Sequence, residues 1–242
     1  MRAVHRISRV CLIWVLLALT PLVTHATDFD RLTVISYHEI EEPSRALIPG
    51  YAVSPTMFVR HIDWLRNNGF VFVSVDQVLS ARSGGVPLPP KAVLLTFDDG
   101  YTSVYQHAWP LLKMLKIPSV ISVVTSWQES AGYVDYDGKP VPRDRFLSWE
   151  ALREMHSTGL VEIASHTHDL HHGLKANPQG SAQPAATARG FDQLRGYEAE
   201  TDYLKRIDAD LRLSRDLIRK RTGSAPRIVT WPYGKYNEMV ES

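Results

Sequence analysis

The chain has 242 residues, 44% of them hydrophobic, and its 27 Lys and Arg against 26 Asp and Glu leave a formal net charge of +1. That length suits one barrel or one doubly wound domain with a substantial core, and basic residues gathered into no face or tail argue against a nucleic-acid partner. One cysteine, Cys11, excludes a disulfide framework.

The first residues read as an address. Arg2, Arg6 and Arg9 precede an apolar run over residues 10–19, and small residues close the stretch at Ala26. This is the pattern of a secretory signal peptide over residues 1–26. The run is too short to span a bilayer comfortably. Cys11 lies before most of the apolar core rather than at the cleavage point, which argues against a lipid-modified cysteine. Residues 27–242 are then the mature domain, expected in the periplasm or another extracytoplasmic space.

Residues 32–37 read as a first strand ending at His38 and Glu39, followed by a loop with Pro43, Pro49 and Gly50 lying over that end. Ser54 caps a helix with Pro55 at its first position and Phe58, Ile62 and Leu65 on one face, and Gly69 stops it. Residues 70–75 form the second strand and residues 76–81 a short helix. The run Ala92-Val93-Leu94-Leu95-Thr96-Phe97 suits a strand buried on both faces and delivers Asp98, Asp99 and Gly100 at its carboxyl end. Active sites of parallel sheets and barrels lie at that end.

A helix runs from Gly100 to about Leu115, kinked by Pro110, and residues 119–124 form the next strand. Residues 126–145 hold glycines and prolines and no period, so they read as a long surface loop whose aromatics Trp127, Tyr133 and Tyr136 are exposed for stacking on sugar rings. Ser148 caps a helix that turns Trp149, Leu152 and Met155 inward. The strand at 160–164 runs straight into His166, His168, His171 and His172. Residues 174–196 read as an irregular excursion. From Glu200 the positions Leu204, Ile207, Leu211 and Ile218 recur at helical spacing, among charges read as a solvated face, up to Gly223. Residues 228–230 are a final strand opening onto Trp231-Pro232-Tyr233-Gly234. Strand alternating with helix implies a parallel α/β sheet or barrel.

Four strand ends thus place His38, Asp98 with Asp99, the histidine cluster and Tyr233 on one rim. Taken alone, the two aspartates suit a helix cap equally well, and a lone histidine is usually a surface or core residue. Four histidines crowded at a strand end are not explained that way. A carboxylate with two imidazoles and further positions open is the ligand set of a catalytic zinc-type site.

The residues Thr96-Phe97-Asp98-Asp99-Gly100, and His166-Thr167 followed by a second histidine, resemble the first two motifs of the polysaccharide deacetylases (NodB homology, carbohydrate esterase family four). The usual second histidine comes four residues after the first, and here that position is Leu170. The longer spacing from His166 to His171, with His172-Gly173, Asn177-Pro178-Gln179-Gly180 and Trp231-Pro232-Tyr233-Gly234, is similar to the PgaB-type poly-β-1,6-N-acetyl-D-glucosamine deacetylases. The resemblance implies a parallel (β/α) barrel of the seven-stranded deacetylase type. It makes Asp99, His166 and His171 ligands of a zinc, nickel or cobalt ion, Asp98 the general base, and His38 the general acid. A backbone amide near Tyr233 would hold the oxyanion, and Trp127, Tyr133 and Trp231 would meet the sugar. The substrate implied is an N-acetylglucosamine polymer, deacetylated in support of its export and of biofilm formation by a monomer. A following glycoside-hydrolase-like domain or outer-membrane export machinery would be its partners.

The pattern departs from the family in places. Thr230 stands where many members carry an arginine that orients the base, so a poorly tuned base and slow turnover are expected. The chain stops at Ser242, where the helix after Tyr233 should begin, so the barrel is expected to be incomplete at that end with an unpaired sheet edge. Alternative substrates are chitin or peptidoglycan. A glycoside hydrolase would need two carboxylates roughly 5 to 9.5 Å apart, and neighbours on a strand point to opposite faces. A purely carbohydrate-binding module would have no use for Asp98.

Overall fold

The computed structural model describes residues 32–241, so the signal-peptide reading of residues 1–26 lies outside the described residues. Strand β1 (Thr33–Tyr37) leads through a loop to α1 (Pro55–Asn67), whose first turn is set by Pro55 and by Ser54 Oγ accepting from the Met57 N–H at 3.3 Å. α1 buries Phe58, Ile62 and Leu65, as their spacing dictates. β2 is only Val71–Phe72, shorter than expected, because Ser74 and Gln77 form a reciprocal capping box that starts α2 (Val75–Arg82). β3 (Ala92–Phe97) is buried along its whole length, as befits a strand covered on both faces.

Between β3 and the end of α3 (Trp109–Leu115) the expected helix is present and runs unbroken from residue 102, with a π-helical turn over Val104–Ala108 just before Pro110. The wider turn sits just before Pro110, whose ring and missing N–H disturb the regular ladder, one of the ordinary causes of such a distortion. β4 (Ser119–Val123) and α4 (Thr125–Glu129) follow. The expected surface loop over 126–145 is instead largely ordered, with α4 at its start and an antiparallel hairpin of β5 (Tyr133–Tyr136) and β6 (Lys139–Pro142). Asp137 and Gly138 both take positive φ, 50° and 78°, as a two-residue type I′ turn requires, and Asp135 Oδ1 accepts the Gly138 N–H at 2.7 Å. Asp-Gly is the hairpin signal here; four-residue strands are too short for periodicity to reveal.

Ser148 caps α5 (Trp149–Ser157), which leads into β7 (Val161–Ser165). The expected irregular excursion contains two short hairpins, β8 (Gly173–Lys175) with β9 (Ala182–Pro184), and β10 (Phe191–Asp192) with β11 (Gly196–Tyr197). The long helix α6 (Glu200–Thr222) ends at a left-handed Gly223 and buries Tyr203, Ile207, Ser214 and Ile218, while Leu204 is exposed. Its inward stripe is thus rotated from the apolar spacing and includes a serine. A last short helix, α7 (Glu238–Glu241), closes the described chain.

All pairings in the main sheet are parallel, in the order β1-β3-β4-β7 with β2 also on β3. Residues 228–230 extend it past β7 through the parallel bridge Ser165↔Val229 and the bonds Ser165 N to Ile228 O and Thr230 N to Ser165 O, short of a full strand. This is the α/β architecture of a (β/α) barrel. Among the described residues the sheet stays open, with Val34 on β1 and Val229 beyond β7 exposed at its two edges. The core joins Leu95, Phe97, Ile121 and Ile163 of the sheet to Phe58, Ile62, Leu112 and Leu152 of the helices. Among the described residues no helix is long and apolar enough to cross a membrane.

Leu95 is fully buried in the middle of β3. Leu95→Ala is expected to lower the free energy of unfolding in urea by about 2–5 kcal/mol, the range for a leucine truncated in a packed core.

Candidate metal centre

Parallel register brings the ends of β1, β3, β7 and the 228–230 segment to one rim, and the backbone there is unusual. Asp99 and Gly100, just past β3, take φ of 69° and 70°; Thr167, just past β7, takes 72°, and Tyr233 takes 58°. A Cβ on Gly100 would lie 3.0 Å from Val123 Cγ1, so both φ and space demand glycine. The non-glycine residues in this region carry ~1–3 kcal/mol of strain each and persist only where the surroundings enforce them. Because Asp98 and Asp99 lie beyond the last strand residue, the opposite facing expected of strand neighbours does not apply. Both carboxylates line one cavity.

Asp99 is 1% exposed. Its Oδ1 stands 3.2 Å from His171 Nε2 and 3.3 Å from His166 Nε2, and the three ligand atoms lie within 4.8 Å of one another. Despite this closeness, Oδ1 accepts no aligned hydrogen bond. His166 Nδ1 lies 2.7 Å from Thr230 O, which can only accept, so Nδ1 carries the proton and Nε2 of the neutral ring offers a lone pair. An orphaned carboxylate oxygen facing two imidazole nitrogens, one with its tautomer set from behind, fits a divalent cation. Burial opposes ionisation of Asp99, but the facing imidazoles outweigh it and hold the carboxyl far below the usual range. Burial likewise disfavours a charge on His166, yet Asp99 and then Asp98 raise its pKa above the ordinary imidazole value.

Asp98 is placed differently. Its Oδ2 accepts from Ser36 Oγ at 2.8 Å, while its buried Oδ1 has no partner. The shared cavity, about 440 Å³, is also lined by His38, Trp231 and Tyr233. The His38 ring stacks on Tyr51, with centroids 5.2 Å apart. Tyr233 packs on the His171 ring at 4.7 Å and donates to Asp137 Oδ1 at 3.2 Å. A larger groove, about 750 Å³, adjoins the cavity and shares His171, Asp137 and Tyr233 with it.

Some expected site residues fall elsewhere. Trp127 is 4% exposed and lines the larger groove, and its ring packs 4.9 Å from His171 and 4.9 Å from Phe146, so it backs the imidazole and is largely buried rather than exposed as expected. Tyr136 is buried beside it. The reason is the hairpin, which folds these rings inward. Tyr133, 66% exposed, lines neither the cavity nor the groove. Of the four clustered histidines only His166 and His171 face Asp99. His168 Nδ1 pairs with Thr125 Oγ1, and His172 lines the groove.

The loop carrying the histidines is held by contacts that local sequence does not announce. The His166 N–H donates to Val123 O, the Thr167 N–H to Ser165 Oγ, and the Leu170 N–H to Thr167 Oγ1. The His168 and Asp169 N–H groups each donate, at 2.7 Å, to one oxygen of Asp210 on α6. Ser214, one turn further along α6, pairs with Ser165 Oγ at 2.7 Å. Burial pushes the Asp210 carboxyl pKa up, against the two amides that lower it. Its place on a charged helix gave no signal beyond a solvated face.

A profile described as polysaccharide deacetylase matches residues 85–242. Over 215 residues, 87% of this chain, the sequence is 37% identical to a poly-beta-1,6-N-acetyl-D-glucosamine N-deacetylase of Escherichia coli (strain K12), yet it spans only 32% of that relative. Among solved structures, a de-N-acetylase from Aggregatibacter actinomycetemcomitans superposes with a TM-score of 0.81 at 38% identity, covering 87% of this chain and 82% of that one. The BpsB deacetylase domain from Bordetella bronchiseptica superposes at 0.76 and 41% identity, covering 86% of this chain and 82% of its own.

The raised pKa of His166 sets a sign for pH dependence in the ion-free protein. Its contribution to stability is present in full below the ordinary imidazole value of 6.5 and is lost as pH rises through the higher folded value. The depressed Asp99 carboxyl keeps its share down to pH well below the ordinary carboxylate range. In the presence of a chelator, the stability advantage of the unaltered chain over Asp99→Asn, followed by urea denaturation, is expected to be largest below the ordinary imidazole value of 6.5 and to fall as the pH is raised above it.

Proposed function

Because the chain belongs to the polysaccharide deacetylase family, we propose that it hydrolyses acetamide groups of a β-1,6-linked N-acetylglucosamine polymer outside the cytoplasm. The observation that carries this reading is the pairing of two unlike carboxylates on one cavity. Asp99 is buried against His166 and His171, while Asp98 has one oxygen anchored and the other free.

In this reading Asp99, His166 and His171 hold a divalent ion, for which zinc, nickel and cobalt all accept an imidazole and carboxylate set. When bound, the ion supplies Lewis acidity that polarises an amide carbonyl and makes water easier to deprotonate. Asp98 Oδ1 takes the proton from the attacking water, with Oδ2 held by Ser36. A backbone amide near Tyr233 steadies the oxyanion. His38, protonated, donates to the departing nitrogen as the C–N bond breaks, releasing acetate and leaving an amine on the sugar. Trp231 and Tyr233 line the cavity beside the reacting group, together with Tyr51 and Tyr136. Thr230, which stands where many family members carry arginine, is occupied with Ser122 Oγ and His166. One neutral donor on the base supports slow turnover.

The substrate follows the names of the similar proteins and their β-1,6 linkage, and the export signal over residues 1–26 and a role in biofilm polymer maturation belong to the same proposal. The test is acetate release from N-acetylglucosamine oligomers of several linkages, with and without a chelator. Release is expected from β-1,6-linked oligomers only when metal is present, with no new reducing ends. Asp98→Asn is expected to slow release by about 10²–10⁴-fold, the usual contribution of a general base, and to leave oligomer binding intact. Release that ignores the chelator, or loss of binding together with release, would overturn the assignment.

A further inference from the structure

We infer that Asp210, on α6 and far from the ligands in sequence, is a positioning residue that preorganises the metal loop. The inference rests on the metal reading of Asp99, His166 and His171 and adds to it a determinant that touches neither metal nor substrate. Between His166 and His171 the chain is neither helix nor strand, with Thr167 in the left-handed region, so no regular ladder can hold the two imidazoles at a set separation. The N–H groups from His166 to Leu170 are nonetheless all bound, and Asp210 supplies the acceptors for the middle two, one oxygen to each at 2.7 Å. A charged acceptor spanning consecutive amides is stronger and more directional than two neutral ones.

The contact also has a second anchor on the same face of α6, Ser214 on Ser165 Oγ, which itself accepts from the Thr167 N–H. Asp210 and Ser214 therefore grip the loop on either side of its strained residue. Without Asp210, two N–H groups lose their acceptors and the loop gains freedom exactly where the spacing of His166 and His171 is decided. Groups behind a metal site that orient its ligands are worth ten- to hundredfold in metal affinity.

The bland rival is that Asp210 merely fastens α6 to the sheet. Tyr203→Phe separates the two, because Tyr203 OH anchors the same helix by donating to Ala186 O at 2.7 Å and accepts from Asn237 Nδ2, neither of them in the histidine loop, while the ring that shares a buried cluster with Leu170 is kept in the variant. Co²⁺ alone serves as the probe on the full chain, its affinity read by chelator competition and its coordination by visible absorption. Asp210→Ala is expected to weaken Co²⁺ binding about ten- to hundredfold and to alter the absorption band. Asp210→Asn, which keeps one acceptor oxygen, is expected to move both in the same direction by less, and it carries the test should the alanine variant fail to fold. Tyr203→Phe is expected to lower the melting temperature while leaving affinity and spectrum unchanged. The inference is overturned if the Asp210 variants bind Co²⁺ as the unaltered chain does, or if Tyr203→Phe weakens binding in the same proportion to its loss of stability. Absence of Co²⁺ binding by the unaltered chain, or binding that survives Asp99→Asn, would instead sink the metal reading, and this inference with it.

Discussion

A carboxylate at 1% exposure needs positive charge beside it, and Asp99 is such a group. Taking an ion of that size out of water costs several kcal/mol even after the protein relaxes. The two imidazoles do not settle this as ordinary donors, since Thr230 O fixes the His166 proton on the far side of the ring and Asp99 Oδ1 accepts no aligned bond. Either protons or a cation must occupy the space between them, and the surrounding polypeptide is arranged around that requirement. The ring of His171 is boxed by Trp127, Tyr136, His166 and Tyr233, which leaves it little freedom to swing away.

The parallel sheet delivers these groups together because parallel strands share a direction, so segments far apart in sequence end on one rim. Register does the coarse positioning, pairing Tyr37 with Phe97 and Val123 with Ser165. Fine positioning falls to the left-handed residues beyond the strands and to side chains from elsewhere that bind loop amides. The β5/β6 hairpin adds a wall, its tip reaching Tyr233 through Asp137 at the junction of cavity and groove. The two aspartates differ electrostatically and geometrically at once: one has an oxygen facing two imidazole nitrogens, the other has one oxygen held by Ser36 and one without a partner.

Much of this was legible in the residues alone. The apolar run of β3, the caps at Ser54 and Ser148 and the stop at Gly223 are local features, and local features survive into the fold because they act on neighbours in sequence. The same holds for Asp98 and Asp99 on a glycine and for the histidine pair set five residues apart, where Leu170 at the usual position proves buried and bonded through its N–H to Thr167. The hairpin was missed although its Asp-Gly turn was in plain sight, because strands of four residues carry too little period to compete with a loop reading.

What the chain's order of residues determined, then, was the alternation of strand and helix, the rim on which the polar groups gather and the chemical identity of the candidate ligands, all of which follow from periodicity, turn chemistry and side-chain type. Tertiary structure alone decided that Trp127 backs an imidazole rather than meeting solvent, that α6 turns Tyr203 and Ser214 inward while Leu204 faces out, and that Asp210 closes on two amides of a loop many residues away. Those outcomes depend on which surfaces meet across the fold, and a contact between distant segments leaves no mark in the local pattern of either one.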